Sequence, residues 1–279
     1  MRLVSDLSSV RAVGIEFRFG DTVALAASDF ELPAVGVSAL IGPNGSGKST
    51  VLAGIAGLHR PSRGTIEVLG TDPESARSRV AFVPQSTKVN DVLPVTVREV
   101  VAMGRYASLG MARRFTVTDR EAVDEALERL DLAAIQTRHL RELSGGQRQR
   151  VFVAQGLVQA RDILLLDEPT MALDLVSERV IHDAISRERE EGRPVVVTTH
   201  DLGEARSADH VLLLANRVVA AGSPAAVLTP ENLTIAYRSE IGEAGAQMHV
   251  DDAAHRPTAG RHTHLEAPGH GAVHPGRDH

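Results

Sequence analysis

Cysteine is absent from this 279-residue sequence. That excludes disulfides and thiolate metal sites, and it fits a reducing compartment. Aromatic residues are sparse, at 3%, so the core must be built from Val, Leu, Ile and Ala. No apolar run reaches the roughly 18 residues of a membrane span, and MRLVSDLSSV at the start lacks the apolar centre of a secretion signal. The expectation is a soluble chain that needs another protein to carry it to any membrane. Net charge is −6, with no basic block, which argues against nucleic acid as a partner. Lysine is scarcest of the charged residues: Lys48 and Lys88 stand against 28 arginines.

One of those two lysines lies in the stretch that organises the chain. Gly42, Pro43, Asn44, Gly45, Ser46, Gly47, Lys48, Ser49 and Thr50 fit the phosphate-loop template G-x-x-x-x-G-K-[ST]. Average residue usage gives a chance match in roughly 1% of chains this long. An apolar strand, Val37–Ile41, is expected before the loop. A helix over Ser49 to Leu58 is expected after it, with Val51, Leu52, Ile55 and Leu58 on one face. Glycines let backbone N–H groups wrap a polyphosphate, and the helix start adds unpaired donors. Lys48 supplies a compact charge to the terminal phosphates, and the Ser49 hydroxyl suits Mg²⁺. These residues point to a bound nucleotide with Mg²⁺.

Upstream of the loop, short alternating segments around Ile15–Phe19, Val23–Leu25 and Phe30–Leu32, with a turn at Gly20-Asp21, predict a small antiparallel sheet. Further strands are expected at Thr65–Gly70 and Val80–Val83. Residues 88 to 160 read as helical, and Thr118 with Glu121 is the expected capping box. Beyond them, strands at Ile163–Leu166 and Val195–Thr199 alternate with a helix over Leu173–Glu190. A return strand is expected at Val218–Ala220, and Thr229-Pro230 opens a last helix. Alternating βα units after an antiparallel start imply an α/β fold with a largely parallel sheet. The periodic pattern spans about residues 8–240. Residues 241–279 form a tail expected to be disordered, and seven of the twelve histidines lie there.

Polar residues at the ends of apolar strands are the candidates for chemistry, because ligands of open α/β sheets bind there. Asp167 can hold Mg²⁺ through water. Glu168, the next residue, can polarise an attacking water. Gln85 follows a strand and a proline, where an amide can reach Mg²⁺ and water. His200 ends a strand and suits either a γ-phosphate contact or a purely structural role. Phe19 suits adenine stacking or core packing equally. Ser144, Gly145, Gly146 and Gln147 open a helix and so make a second anion site. One phosphate loop with two phosphate-directed helix starts suggests a two-fold dimer sandwiching two ATPs.

With these motifs assembled, residues 11 to 237 resemble the ATP-binding subunit of ABC transporters. The phosphate loop, Gln85, Leu143–Gln147, Ile163–Glu168, Ala172-Leu173-Asp174 and His200 appear in the family's order and spacing. The resemblance implies a P-loop NTPase with a RecA-like parallel sheet core, an antiparallel β subdomain and a helical subdomain over about 88–160. It implies Phe19 as the adenine-stacking aromatic, Glu168 as general base and His200 as γ-phosphate sensor. It further implies an ATPase homodimer on the cytoplasmic face of the membrane, peripheral to an integral permease and served through it by an extracytoplasmic metal-binding protein. Two positions depart from the family pattern. Met171 replaces a small residue before Ala-Leu-Asp, and Asn216-Arg217 replaces a glycine-containing turn, which reads as a minor change. The stretch Leu93–Tyr106 looks like that of bacterial importers of zinc, manganese or iron chelates, with zinc favoured. In the tail, His262 and His264 are a candidate zinc pair. A non-transport ABC ATPase is the rival reading; it lacks support from any long insertion between Gln85 and Leu143 or from a second phosphate loop.

Overall fold

A computed structural model of the chain describes residues 8–85, 94–109 and 114–238. The expected tail, with His262 and His264, lies outside the described residues, as does Lys88.

Two sheets organise these residues. In the first, β1 (Ser8–Phe19) and β2 (Thr22–Pro33) form a long antiparallel hairpin, and β4 (Arg63–Val68) pairs with the other edge of β1. The turn falls at Gly20-Asp21 as expected, but the strands are longer than the sequence bursts suggest. Register shifts along β1 interrupt the alternation and break up the period-two signal.

The second sheet has the order β5-β6-β7-β3-β8-β9. Its strands are β3 (Val37–Ile41), β5 (Val80–Val83), β6 (Ile163–Asp167), β7 (Val195–Thr199), β8 (His210–Leu214) and β9 (Val218–Gly222). The first five strands in that order are mutually parallel and β9 is antiparallel. Every residue of β6 and β7 is buried. Burial on both faces is why these strands are apolar runs without alternation.

Helices cover both faces. On one side α1 (Lys48–Ile55) brings Val51, Leu52 and Ile55 into a core with Ile15, Phe17, Leu25 and Leu32 of the antiparallel sheet. This helix stops earlier than expected. Gly57 takes a left-handed φ of 70°, so Leu58 falls outside the helix and is exposed. A single turn, α2 (Pro73–Ala76), follows β4, and on the other side of the parallel sheet α3 (Val97–Leu109), α4 (Val117–Arg129) and α5 (Gly145–Leu157) pack together. Their apolar faces join Ala39, Ile41 and Val197 in one continuous core, so the helical region shares its interior with the parallel sheet. The capping box of α4 is Thr116 with Asp119, not Thr118 with Glu121. The helix starts earlier because Asp119 also accepts from Arg105 Nε at 2.9 Å. Bonds from Thr116, side chain and backbone, and then Arg105, hold the Asp119 carboxyl at about 2. α6 (Leu175–Glu190) is capped by Asp174, and α7 (Leu202–Ser207) by Asp201. The short α8 (Pro224–Val227) precedes a last helical stretch at residues 230–238.

Candidate functional site

The site lies where three adjacent parallel strands end. β3 runs into the loop at Gly42, β6 ends at Asp167 and β7 ends at Thr198-Thr199, with Ile41 level with Thr199 and Asp167 level with Thr198. The pairing therefore brings residues far apart in sequence to one edge of the sheet.

The loop from Gly42 to Gly47 makes a tight arch. Gly42 leaves no room for a side chain, since a Cβ there would sit 2.1 Å from the Leu214 carbonyl oxygen. Gly47 has a φ of 99°, and a Cβ there would meet the Ala24 carbonyl oxygen at 2.9 Å. The Lys48 ammonium is buried over the arch and donates to the carbonyls of Gly42 (2.8 Å) and Pro43 (3.0 Å). Ser46 Oγ is buried and has no hydrogen-bond partner among the described residues. A buried orphan hydroxyl is costly, and a polyphosphate oxygen is the kind of acceptor it lacks.

From Ser49 in α1 a chain of hydrogen bonds runs across the ends of β6 and β7. Ser49 Oγ donates to Asp167 Oδ1 at 3.1 Å, and Thr198 Oγ1 donates to the same oxygen at 2.6 Å. Thr198 Oγ1 in turn accepts from the Glu168 N–H at 2.8 Å. That bond anchors Glu168 in a left-handed conformation, φ 46°, which a residue with a Cβ adopts only when its surroundings hold it there. Gln85 Nε2 donates to Glu168 Oε2 at 2.5 Å and to Met171 Sδ at 3.4 Å. Hydroxyl and carboxylate oxygens at Ser49 and Asp167 are the hard donors that Mg²⁺ prefers, so these residues fit the cation expected with ATP.

A cleft of about 530 Å³ opens over the arch, and among the residues lining it are Phe19, Asn44–Thr50, Gln85, Glu168, Met171 and Asn216. Phe19 is half exposed and meets the His59 ring edge-on, with centroids 5.3 Å apart. It ends β1 at the cleft and does not pack in the core. His200 is exposed just beyond β7 and is not a lining residue of this cleft. Ser144, Gly145, Gly146 and Gln147 likewise lie elsewhere. Ser144 caps α5 reciprocally with Gln147, and none of these four residues is among those lining the phosphate-loop cleft.

Three features were not apparent from sequence motifs. Thr198 links the two acids, and its only signal is a hydroxyl in an otherwise apolar strand. Asn216, at the β8–β9 turn, reaches the phosphate loop. Behind the strand ends, Glu204 accepts from Thr170 Oγ1 (2.6 Å) and Thr199 Oγ1 (2.5 Å) and pairs with His182 Nε2 (3.1 Å). Burial pushes the Glu204 carboxyl up, but its bonds to His182, Thr170 and Thr199 outweigh this and hold it at about 2. The same bond to Glu204 raises the His182 imidazole above its ordinary value, against the effect of burial.

A strand, a glycine arch with a buried lysine, a helix, and a parallel strand one place removed that runs into two acids define a P-loop nucleoside triphosphatase. The profile of the ABC transporter family matches residues 25–171. The chain belongs to that family and is an ATPase subunit of it. It is 37% identical over 246 residues to the chelated iron transport system membrane protein YfeB of Yersinia pestis, covering 86% of this chain and 83% of that one. It is 40% identical over 230 residues to the zinc transport system ATP-binding protein TroB of Treponema pallidum, covering 81% and 86%. Among solved structures it is similar to a chain of a protein described as a metal-chelate type ABC transporter in an inward-facing conformation, with a TM-score of 0.72, 29% identity, and 83% and 90% of the two chains covered. The relatives come from transport systems, which implies a membrane permease as partner. Among the described residues no helix is long and apolar enough to cross a membrane.

Proposed function

We propose that this chain is the ATP-hydrolysing subunit of an importer for a divalent metal ion, zinc first, with iron chelates and manganese as the alternatives. The observation that carries the mechanism is the hydrogen-bonded run Ser49–Asp167–Thr198–Glu168–Gln85 beside the phosphate arch. It holds a cation site and a proton acceptor in fixed relation to the place where a γ-phosphate would lie. Resemblance to subunits named for metal transport, one of them for zinc, supports the cargo class.

The roles follow from position. The arch from Gly42 to Gly47, Lys48 and Thr50 hold the phosphates, and Phe19 takes the adenine ring. Ser49, Asp167 and Gln85 would hold Mg²⁺, which would neutralise charge on the phosphate oxygens. Glu168 accepts the proton of the attacking water. Gln85 donates directly to Glu168 here, so with nucleotide bound Gln85 would be free for the cation and Glu168 for the water. His200 acts at the γ-phosphate as the dimer closes. Ser144–Gln147 completes the ATP site of a second copy. Two copies closing on two ATPs then drive a permease at the cytoplasmic face, supplied by an extracytoplasmic metal-binding protein. His262 and His264 add a zinc-binding element, which equilibrium dialysis of the full chain against one ending at Gly242 would test. Equal zinc uptake by the two removes that element.

The test of the main reading is cellular metal content after deleting this gene together with its membrane partner. Loss of zinc, restored by both genes, is expected. Loss of manganese or iron selects an alternative cargo. Unchanged metal content, with no membrane protein co-purifying, would support a non-transport ATPase instead.

A further inference from the structure

Asn216 stands at the tip of the β8–β9 turn with a φ of 54°, a conformation that asparagine tolerates better than most residues. Far from being a minor change in that turn, it holds the phosphate loop at two points. Its Nδ2 donates to the Gly45 carbonyl at 3.1 Å, and its backbone N–H donates to the Ser46 carbonyl at 3.0 Å. Its own carbonyl accepts from the Ala26 N–H of β2 at 2.6 Å. One residue thus ties together the arch, the parallel sheet and the antiparallel sheet that carries Phe19.

The consequence follows from peptide geometry. In a trans peptide the C=O and N–H point in opposite directions. With the Ser46 carbonyl held by the Asn216 N–H, the Gly47 N–H of the same peptide is turned away from Asn216. The Gly45 carbonyl, held by the side chain, fixes the preceding peptide, whose Ser46 N–H donates to Pro43 O at 3.2 Å. Glycine at position 45, with a φ of 74° and open space around it, offers little resistance to a flip of that peptide. The Asn216 amide supplies the restraint.

We infer that Asn216 is a positioning residue of the ATP site, setting nucleotide affinity by fixing the two peptides of the phosphate arch through Gly45 and Ser46. This rests on ATP occupying the Gly42–Thr50 cleft. The test is titration calorimetry of the full-length chain with MgATP, together with steady-state ATPase kinetics and melting of the nucleotide-free protein. Asn216→Gly keeps the left-handed turn and the backbone grip and removes only the amide. Its ATP affinity is expected to fall about five- to tenfold, the equivalent of one hydrogen bond, with KM rising in step and kcat within about twofold of the parent. Asn216→Asp cannot donate to the Gly45 carbonyl and adds a negative charge beside the phosphates, so it should fall further. A purely structural residue would lower the melting temperature and leave affinity alone. Parent-like affinity in Asn216→Gly overturns the inference, and if that variant does not fold, parent-like affinity in Asn216→Asp does so. Parent-like ATP binding by Lys48→Ala would instead overturn the assignment of the cleft itself.

Discussion

Replacing Thr198 by valine probes the link between the two acids with almost no change in shape. Thr198 is fully buried, and its hydroxyl serves Asp167 as donor and the Glu168 N–H as acceptor. Valine removes both bonds, leaving the Glu168 N–H without this acceptor and Asp167 Oδ1 with the Ser49 hydroxyl alone. A hydrogen bond to a charged group contributes about 1.5–3 kcal/mol and a neutral one about 0.5–1.5 kcal/mol, so the loss should be roughly 2–4 kcal/mol. Against a total of about 5–15 kcal/mol for a domain, a urea titration will resolve that shift. Activity should fall further than stability explains. Glu168 sits at a φ of 46° and loses the bond that anchors it there, and misplacing a reacting group by about 1 Å can cost on the order of 100-fold. Saturating-ATP turnover should drop roughly 10- to 100-fold, while Thr198→Ser, which keeps the hydroxyl, should stay near the parent. A loss below about 0.5 kcal/mol with normal turnover would refute the reasoning, because it would mean that the hydroxyl has no net role.

Other perturbations separate the remaining parts of the site. Glu168→Gln should abolish hydrolysis yet still bind ATP, and sedimentation should then show an ATP-dependent dimer; turnover near the parent rate removes Glu168 as the base. Gly47→Ala should cost about 1–3 kcal/mol, because a Cβ is forced onto a φ of 99° and against the Ala24 carbonyl; chemical denaturation reads this directly. His182→Gln should destabilise the chain in a pH-dependent way. The raised imidazole contributes fully below its ordinary value of 6.5 and loses that contribution as pH climbs through its raised one. The Glu204 share is present above 4.5 and is lost only as pH falls through about 2. The variant's loss of melting temperature should therefore be larger at pH 5.5 than at pH 8.5, and an equal loss at both would show that the pair is not ionised.

The features legible in the sequence were those encoded locally. The phosphate arch needs glycines and a lysine in fixed register, so Gly42–Thr50 announces itself, and two further strands do so through the short apolar runs Ile163–Leu166 and Val195–Val197. Asp167 and Glu168 could be picked out because they end an apolar strand in a chain that also carries a phosphate loop, where ligands of open α/β sheets bind. Local signals were weaker for boundaries. Thr118 with Glu121 has the spacing of a capping box, yet Thr116 with Asp119 wins because Arg105, from another helix, completes it. The contacts of Asn216 were not legible at all, because they depend on where a turn lands against a loop 171 positions earlier. Met171 is similar: its sulfur meets Gln85, a contact between two loops that only the sheet order brings together. A motif names the residues of a site, whereas the tertiary pairing of strands decides which of them touch.

The most direct measurement of the central claim is metal accumulation in cells lacking this gene and given back either the parent gene or the Glu168→Gln variant, with both proteins shown to be expressed equally and to bind ATP. Mass-spectrometric metal content should return to the wild-type level, for zinc first, with the parent and stay at the deletion level with the variant. Full restoration by the hydrolysis-deficient variant would contradict the claim that ATP hydrolysis by this chain drives metal import.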